Sequence, residues 1–237
     1  MVTNIQAGKI YNRLTTNLRT GEKVNLVCQV RRLIQAEDGC IESIMIRDAI
    51  SDADSQIPFQ TALLEFAPIQ LTRILLFALG FEKVDTAIIG TNVTSHYDLP
   101  ILANNIPYTI VLFEEDGVFG LIDYDSRSNT YHVKWNDISL DELQEYAYRQ
   151  HRINYQPDVK LINHVLLCYN DYIQGALLIK DYIENTGPLL QRGVSNQLIW
   201  SGFNSSQLEI DIIIKYGISC NYFEIDLSSG ELLYVAP

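Results

Sequence analysis

Two aspartates and a lysine in the middle of the chain could carry metal-dependent hydrolysis. Asp123 and Asp125 are two residues apart at the end of a predicted strand, so they can point the same way, and Glu114 or Lys134 on neighbouring strands could reach them. In such a site the carboxylates hold a metal ion and the lysine steadies the scissile phosphate. His132 stands where that pattern has an acid, and aspartates commonly flank hairpin turns. A metal-dependent hydrolase or nuclease is therefore one alternative, and ordinary turn aspartates are the favoured one.

A second pair of residues could bind zinc or form a reactive thiolate. His164 and Cys168 are four residues apart on a predicted helix, a spacing that places two side chains on one face. No second pair with metal-ligand spacing stands elsewhere in the sequence, and both positions lie near the apolar stripe of the helix. A buried thiol beside a hydrogen-bonded core histidine is the favoured interpretation. The sequence therefore predicts neither a metal ion nor a cofactor.

Basic residues are concentrated at the start of the chain. The protein has a formal net charge of −12, yet residues 1–35 contain a single acid, Glu22. Against it stand six bases: Lys9, Arg13, Arg19, Lys23, Arg31 and Arg32. Such asymmetry is typical of a segment that contacts nucleic acid or an acidic partner. The alternative is a solvated face, or an arm that packs on the acidic body of the same molecule.

Composition indicates a soluble protein of a reduced, cytoplasmic compartment. Hydrophobic residues make up 47% of the 237 residues and charged residues only 19%, so neutral polar groups and the 14 tyrosines must form much of the surface. The four cysteines have no paired spacing and are expected to be buried thiols. The first residues lack the apolar core of a signal peptide, and no apolar run has the composition of a membrane helix.

Alternating apolar residues and glycine turns predict antiparallel strands in three places. Residues 108–135 read as a three-stranded meander with turns at 114–117 and 123–129. Residues 24–47 and 222–235 each read as a hairpin around a short glycine-containing turn. Residues 86–89 read as a further short strand, and residues 91–105 as a loop.

Apolar spacing and capping signals predict about five helices. Ser139 and Ser206 each open a capping box, because a glutamate follows three residues later in both cases. The predicted helices cover residues 58–66, 68–79, 140–153, 159–184 and 206–217. Gly80 and Gly217 are placed where helices end, and Trp200 is expected to anchor its segment to the core.

These elements together predict an α+β fold with antiparallel sheets and one long helix in the C-terminal half. Two domains are expected, an α+β region at 1–154 and a helical region at 158–237 with the terminal hairpin. The joint lies near residues 155–157, and a single interlocked domain is the alternative.

The predicted function is non-enzymatic binding of another protein. No coherent catalytic set stands in the sequence, and an acidic, tyrosine-rich body with few charges can dock a basic protein surface, as adaptor or immunity-type proteins do by analogy. The expected partner is another protein, one with a basic surface or a second copy of this chain. Nucleic acid is disfavoured as a partner, and no membrane partner is expected.

Overall fold

The computed structural model describes residues 5–16, 20–84, 95–103, 106–125, 130–135, 137–203 and 205–236. The chain divides into two compact units. The first consists of Met1–Thr72 and Val84–His164, and the second of Arg73–Lys83 and Val165–Pro237. This division falls a few residues after the predicted joint at 155–157, and it assigns a short internal segment to the C-terminal unit. No local pattern signals that assignment, because it depends on packing between residues far apart in sequence.

The described residues form thirteen strands and seven helices, which confirms the α+β class with antiparallel sheets. The strands are β1 Ile10–Thr16, β2 Lys23–Gln35, β3 Ile41–Asp48, β4 Asp54–Pro58, β5 Phe66–Ala67, β6 Glu82–Val84, β7 Ser95–Ala103, β8 Ile106–Glu115, β9 Val118–Asp125, β10 Thr130–Trp135, β11 Leu189–Leu190, β12 Phe223–Asp226 and β13 Glu231–Tyr234. The helices are α1 Phe59–Glu65, α2 Arg73–Ala78, α3 Leu140–His151, α4 Val159–Leu167, α5 Tyr169–Thr186, α6 Gln191–Trp200 and α7 Gln207–Ser219. Within these residues no helix is both long and apolar enough to cross a membrane.

The first sheet of the N-terminal unit has the strand order β4-β3-β2-β1-β5. The predicted hairpin at 24–47 is confirmed as the antiparallel pair β2 and β3. The apolar face of this sheet packs with α1 into one core, in which the Tyr11 and Phe66 rings stack with centroids 5.4 Å apart. Strand pairing of β1 on both β2 and β5 brings these two aromatic residues together.

The second sheet of this unit contains the predicted meander. Strands β8, β9 and β10 are antiparallel neighbours in that order, and β7 pairs with β8 on the other side. The prediction that residues 91–105 form a loop is wrong over β7, which places Tyr97 and Leu99 in the core despite Pro100. Backbone pairing with β8 stabilises β7, although the mixed composition of this stretch does not predict a strand. The strand predicted at 86–89 lies outside the described residues.

Two helix predictions need correction. The helix predicted at 68–79 covers only Arg73–Ala78, because the preceding backbone pairs instead with the start of α3: Gln70 forms a bridge with Ser139, and Leu140 N–H donates to Ile69 O at 2.9 Å. The helix predicted at 159–184 is divided at Cys168, which caps α5 with φ −95° and ψ 14°. Both capping boxes are confirmed, at the starts of α3 and α7.

In the C-terminal unit two glycines of helices permit close packing. A Cβ on Gly217 would lie 2.2 Å from the ring of Phe223, and one on Gly175 would lie 2.8 Å from Ile213 Cδ1. The helix predicted to end at Gly217 in fact continues to Ser219. Gly217 is therefore required for space beside a buried aromatic ring, and not as a terminator. None of the four cysteines forms a disulfide, and only Cys28 is fully buried.

Substitution of Gly217 by alanine should destabilise the protein by about 2–3 kcal/mol, because the new methyl group must displace the Phe223 ring from a packed core. Urea unfolding of the purified chain measures this loss. Gly193→Ala is the matched control: its Cβ would meet the end of the flexible Leu189 side chain at 3.0 Å, so we expect a change of at most about 0.5 kcal/mol. Equal stability of the two variants would contradict the packing described for Gly217.

Candidate functional site

The predicted hydrolase residues lie on adjacent strands of the second sheet. Asp123 and Asp125 are on β9, and β10 is registered so that His132 lies opposite Asp123. Lys134 falls where the register of the two strands shifts. Glu114, the further carboxylate considered for this group, is buried and accepts a hydrogen bond from the Tyr97 hydroxyl at 2.7 Å. Across the described part of the chain, no group of three or more His, Cys, Asp or Glu residues is placed to hold a metal ion.

The predicted zinc or thiolate pair is divided between two helices. His164 lies in the last turn of α4 and Cys168 caps α5, and the two residues belong to different compact units. Burial raises the pKa of the Cys168 thiol above its ordinary value. A raised pKa disfavours the thiolate that both metal binding and nucleophilic chemistry require.

Two of the six predicted N-terminal cations are held in ion pairs within the protein. Lys9 Nζ lies 3.0 Å from Glu145 Oε2, and Arg13 Nε lies 2.6 Å from Glu65 Oε2. All four side chains are at least partly buried. These contacts agree with the alternative in which the basic segment packs on acids of the same molecule.

The remaining N-terminal cations differ from these two. Lys23, Arg31 and Arg32 are exposed on β2, and Arg19 lies outside the described residues. The register between β2 and β3 shifts between Val30 and Arg32, so Arg31 is an extra residue and both arginines face solvent. Nucleic-acid contact through this segment stays a prediction that depends on these exposed side chains.

A polar pocket of about 260 Å³ lies in the N-terminal unit, where the residues before β1 meet α3 and the chain that follows it. Its lining residues are Gln6, Ala7, Lys9, Gln144, Glu145, Tyr148, Asn154, Tyr155 and Gln156. Among these, Lys9 alone is a residue that the sequence singled out. The lining comes from two stretches more than a hundred residues apart in the sequence, and only tertiary packing joins them.

The Gln144 side chain fixes the shape of this pocket. Its amide nitrogen donates to Gly8 O at 3.3 Å and to Tyr155 O at 3.1 Å, and its carbonyl oxygen accepts from Ile10 N–H at 3.2 Å. The residue is only 3% exposed. Because a buried polar group is costly unless it is hydrogen-bonded, this glutamine is held in one orientation and holds both walls of the pocket in turn.

The charged groups of the pocket are arranged around Lys9. Its ammonium donates to Glu145 and also to Asp141 O at 3.0 Å, and Glu145 accepts a further ion pair from Arg149. Burial lowers the pKa of Lys9, although Glu145 acts to raise it. The hydrogen bond from Lys9 lowers the pKa of Glu145, which is the more exposed partner. Burial also raises the pKa of Asp141. The ion pair thus offsets only part of the cost of burying Lys9.

A different kind of surface occurs at the end of α6 in the C-terminal unit. Trp200 is 80% exposed, so the prediction that it anchors its segment to the core is wrong. The buried face of α6 is formed by Val194 and Leu198, whose i, i+4 spacing turns the neighbouring Ile199 and Trp200 away from the core. Ile199 is 53% exposed and Leu208, near the start of α7, is 47% exposed.

Comparison of the chain with protein-family models, with curated proteins and with solved structures found no match. Functional inference therefore depends on the geometry of the chain itself, and on two places in particular: the polar pocket of the N-terminal unit and the exposed apolar surface of α6.

The Lys9–Glu145 pair makes a testable contribution to stability. Glu145→Gln should destabilise the protein by about 1–2 kcal/mol at neutral pH, because it leaves the largely buried Lys9 ammonium without its carboxylate. The folded pKa of Glu145 lies below the ordinary value of 4.5, so the stabilisation is present above that pH. It should be lost as the pH falls through the folded pKa. Urea unfolding from pH 7 to about pH 3 measures the difference between the two proteins.

Lys160→Gln is the control for this experiment. Lys160 pairs with Asp52 at 2.9 Å, but both side chains are at least half exposed, and ion pairs of that kind contribute little. The control should follow the wild-type protein across the pH range. If Glu145→Gln were less stable than the wild-type protein by the same amount at pH 3 as at pH 7, this stabilisation could not be assigned to the Lys9–Glu145 ion pair.

Proposed function

We propose that this chain is a non-enzymatic protein that acts by binding another protein, as adaptor or immunity-type proteins do, and that Trp200 is the centre of the surface it uses. Exposure of the Trp200 indole is the observation that supports this function most directly. Tryptophan is enriched in protein interfaces, where one residue buries about 150–250 Å² and a few such residues carry most of the binding energy.

The composition around Trp200 matches the centre of an interface. Residues 193–208 contain no Asp, Glu, Lys, Arg or His, although the chain as a whole has a net charge of −12. Depletion of charged residues together with an exposed aromatic side chain distinguishes the core of an interface from the rest of a protein surface. Ile199 in the last turn of α6 and Leu208 in the first turn of α7 are also exposed and add apolar area on either side of the connection between these helices.

The backbone that carries Trp200 is held by hydrogen bonds. Ser201 N–H donates to Gln197 O, Gly202 N–H donates to Ile199 O at 3.0 Å, and Phe203 N–H donates to Leu198 O at 2.8 Å. Gly202 has φ +89°, the left-handed conformation that ends a helix at little cost in glycine. Because these hydrogen bonds already fix residues 201–203 in the free protein, a partner need not supply the free energy of ordering them.

The charge of the C-terminal unit indicates what kind of partner fits. Its main segment, Val165–Pro237, has eight acidic residues and three basic ones. We therefore propose a partner that presents an apolar cavity for the indole, with basic residues around it. Such complementarity speeds association and selects against acidic competitors, while the apolar centre supplies affinity.

Trp200→Ala should abolish stable capture of the partner without affecting the fold. We expect affinity to fall by about thirtyfold or more, the effect of losing a central interface residue, and the melting temperature to change little because the side chain is exposed. The measurement is recovery of a stoichiometric partner after crosslinking and affinity purification of tagged protein from its native cells, followed by titration of that partner in increasing salt.

Leu227→Ala is the matched control. Leu227 is 95% exposed in the turn between β12 and β13, so the variant removes an apolar side chain of the same unit outside the α6–α7 turn. It should recover the partner as the wild-type protein does. Equal recovery by Trp200→Ala and Leu227→Ala, or no stoichiometric partner for the wild-type protein, would refute the proposed function.

A further inference from the structure

The polar pocket of the N-terminal unit contains hydrogen-bond donors that the protein does not use itself. The Tyr155 hydroxyl has no hydrogen-bond partner among the described residues. The tyrosine is nevertheless largely buried, and burial raises its pKa. An ammonium group has three hydrogens, and Lys9 directs two of them to Glu145 and Asp141 O. One N–H of Lys9 and the O–H of Tyr155 are therefore left for a ligand.

Other polar groups of the lining are already occupied. Gln144 makes three hydrogen bonds to backbone groups, and the Gln156 amide donates to Asn154 Oδ1 at 2.7 Å while its oxygen accepts from Gln29. These bonds hold the side chains of the lining in place, so few of them need to rearrange when a ligand binds. A site whose donors are oriented in advance binds without paying for their ordering.

The ionised groups around Lys9 are balanced in number, so the unused donors, and not net charge, indicate a ligand that accepts hydrogen bonds. Lys9 is the cation of the lining, Arg149 pairs with Glu145 from outside it, and the Arg152 guanidinium lies 5.8 Å from the centre of the Tyr148 ring. The acids beside Lys9 are Glu145, which Lys9 and Arg149 share, and Asp141, whose pKa burial raises.

The size of the pocket limits what it can hold. A volume of about 260 Å³ lies below the range of about 300–1,000 Å³ that is typical of sites for drug-sized ligands. The lining offers amides, tyrosine hydroxyls, one ammonium and one carboxylate, with polar and apolar surface in similar amounts. A small polar molecule fits these dimensions better than a nucleotide or a lipid.

We propose that this pocket binds a small organic carboxylate. The Lys9 ammonium and the Tyr155 hydroxyl donate to its two oxygens, and the side chains of Gln6 and Asn154 contact the rest of the molecule. Hydrogen bonds to an ionised acceptor are shorter and roughly twice as strong as neutral ones, so two such bonds suffice to orient the ligand. This site is independent of the protein-binding surface at Trp200.

The test uses the full chain and a panel of acetate, succinate, glutarate and benzoate, each paired with its uncharged amide. Titration calorimetry and ligand-observed NMR at pH 7 should detect binding of at least one carboxylate, and binding of the corresponding amide should be at least about tenfold weaker. If no carboxylate of the panel binds, or if the amides bind as tightly, the proposal is overturned.

Tyr155→Phe separates this ligand role from a structural one. The variant keeps the ring and removes a hydroxyl that has no partner in the described structure, so its melting temperature should equal that of the wild-type protein. Carboxylate affinity should fall by about tenfold, whereas Tyr182→Phe on α5, which does not line the pocket, should bind as the wild type does. Unchanged affinity in Tyr155→Phe refutes the proposal, even where Lys9→Met abolishes binding by unfolding the protein.

Discussion

The buried amide of Gln144 connects parts of the N-terminal unit that the sequence keeps far apart. It satisfies backbone groups of Gly8, Ile10 and Tyr155 at once, and the Ile10 N–H among them is buried, where an unpaired donor is costly. A residue of another shape at this position would leave several polar groups unsatisfied. Together with the bonds from Lys9 to Glu145 and Asp141 O, this side chain fixes the position of β1 against α3 and the pocket between them.

The protein distributes its few charges unevenly, and the distribution separates two kinds of surface. In the N-terminal unit, Lys9 pairs with Glu145 and Arg13 pairs with Glu65. These ion pairs are at least partly buried, so their attraction is offset by the free energy of removing the charges from water. In the C-terminal unit, residues 193–208 have no charge at all and expose Trp200. A buried ion pair needs fixed geometry, whereas an exposed indole needs only a firm support. Small-molecule recognition suits the first arrangement and protein recognition suits the second.

The sequence predicted those elements whose signals are local. The meander at 108–135, both hairpins and both capping boxes follow from alternation, glycine turns and the Ser-x-x-Glu pattern, and all are present. Strand β7 was missed because its proline and polar residues hide a strand that pairing with β8 stabilises. Trp200 was assigned to the core because large aromatic residues are usually buried, and the sequence does not reveal which face of α6 packs.

By itself the sequence determined the class of fold, the turns and the helix starts, because these depend on the φ, ψ preferences and hydrogen-bonding groups of residues a few positions apart. Tertiary structure alone decided where the long helix divides, which side of α6 faces solvent, and that residues near Lys9 meet those near Tyr155. Those outcomes depend on which apolar faces and buried polar groups find partners across a hundred residues or more. The spacing of neighbouring residues does not predict such long-range pairings, and both candidate sites depend on these pairings.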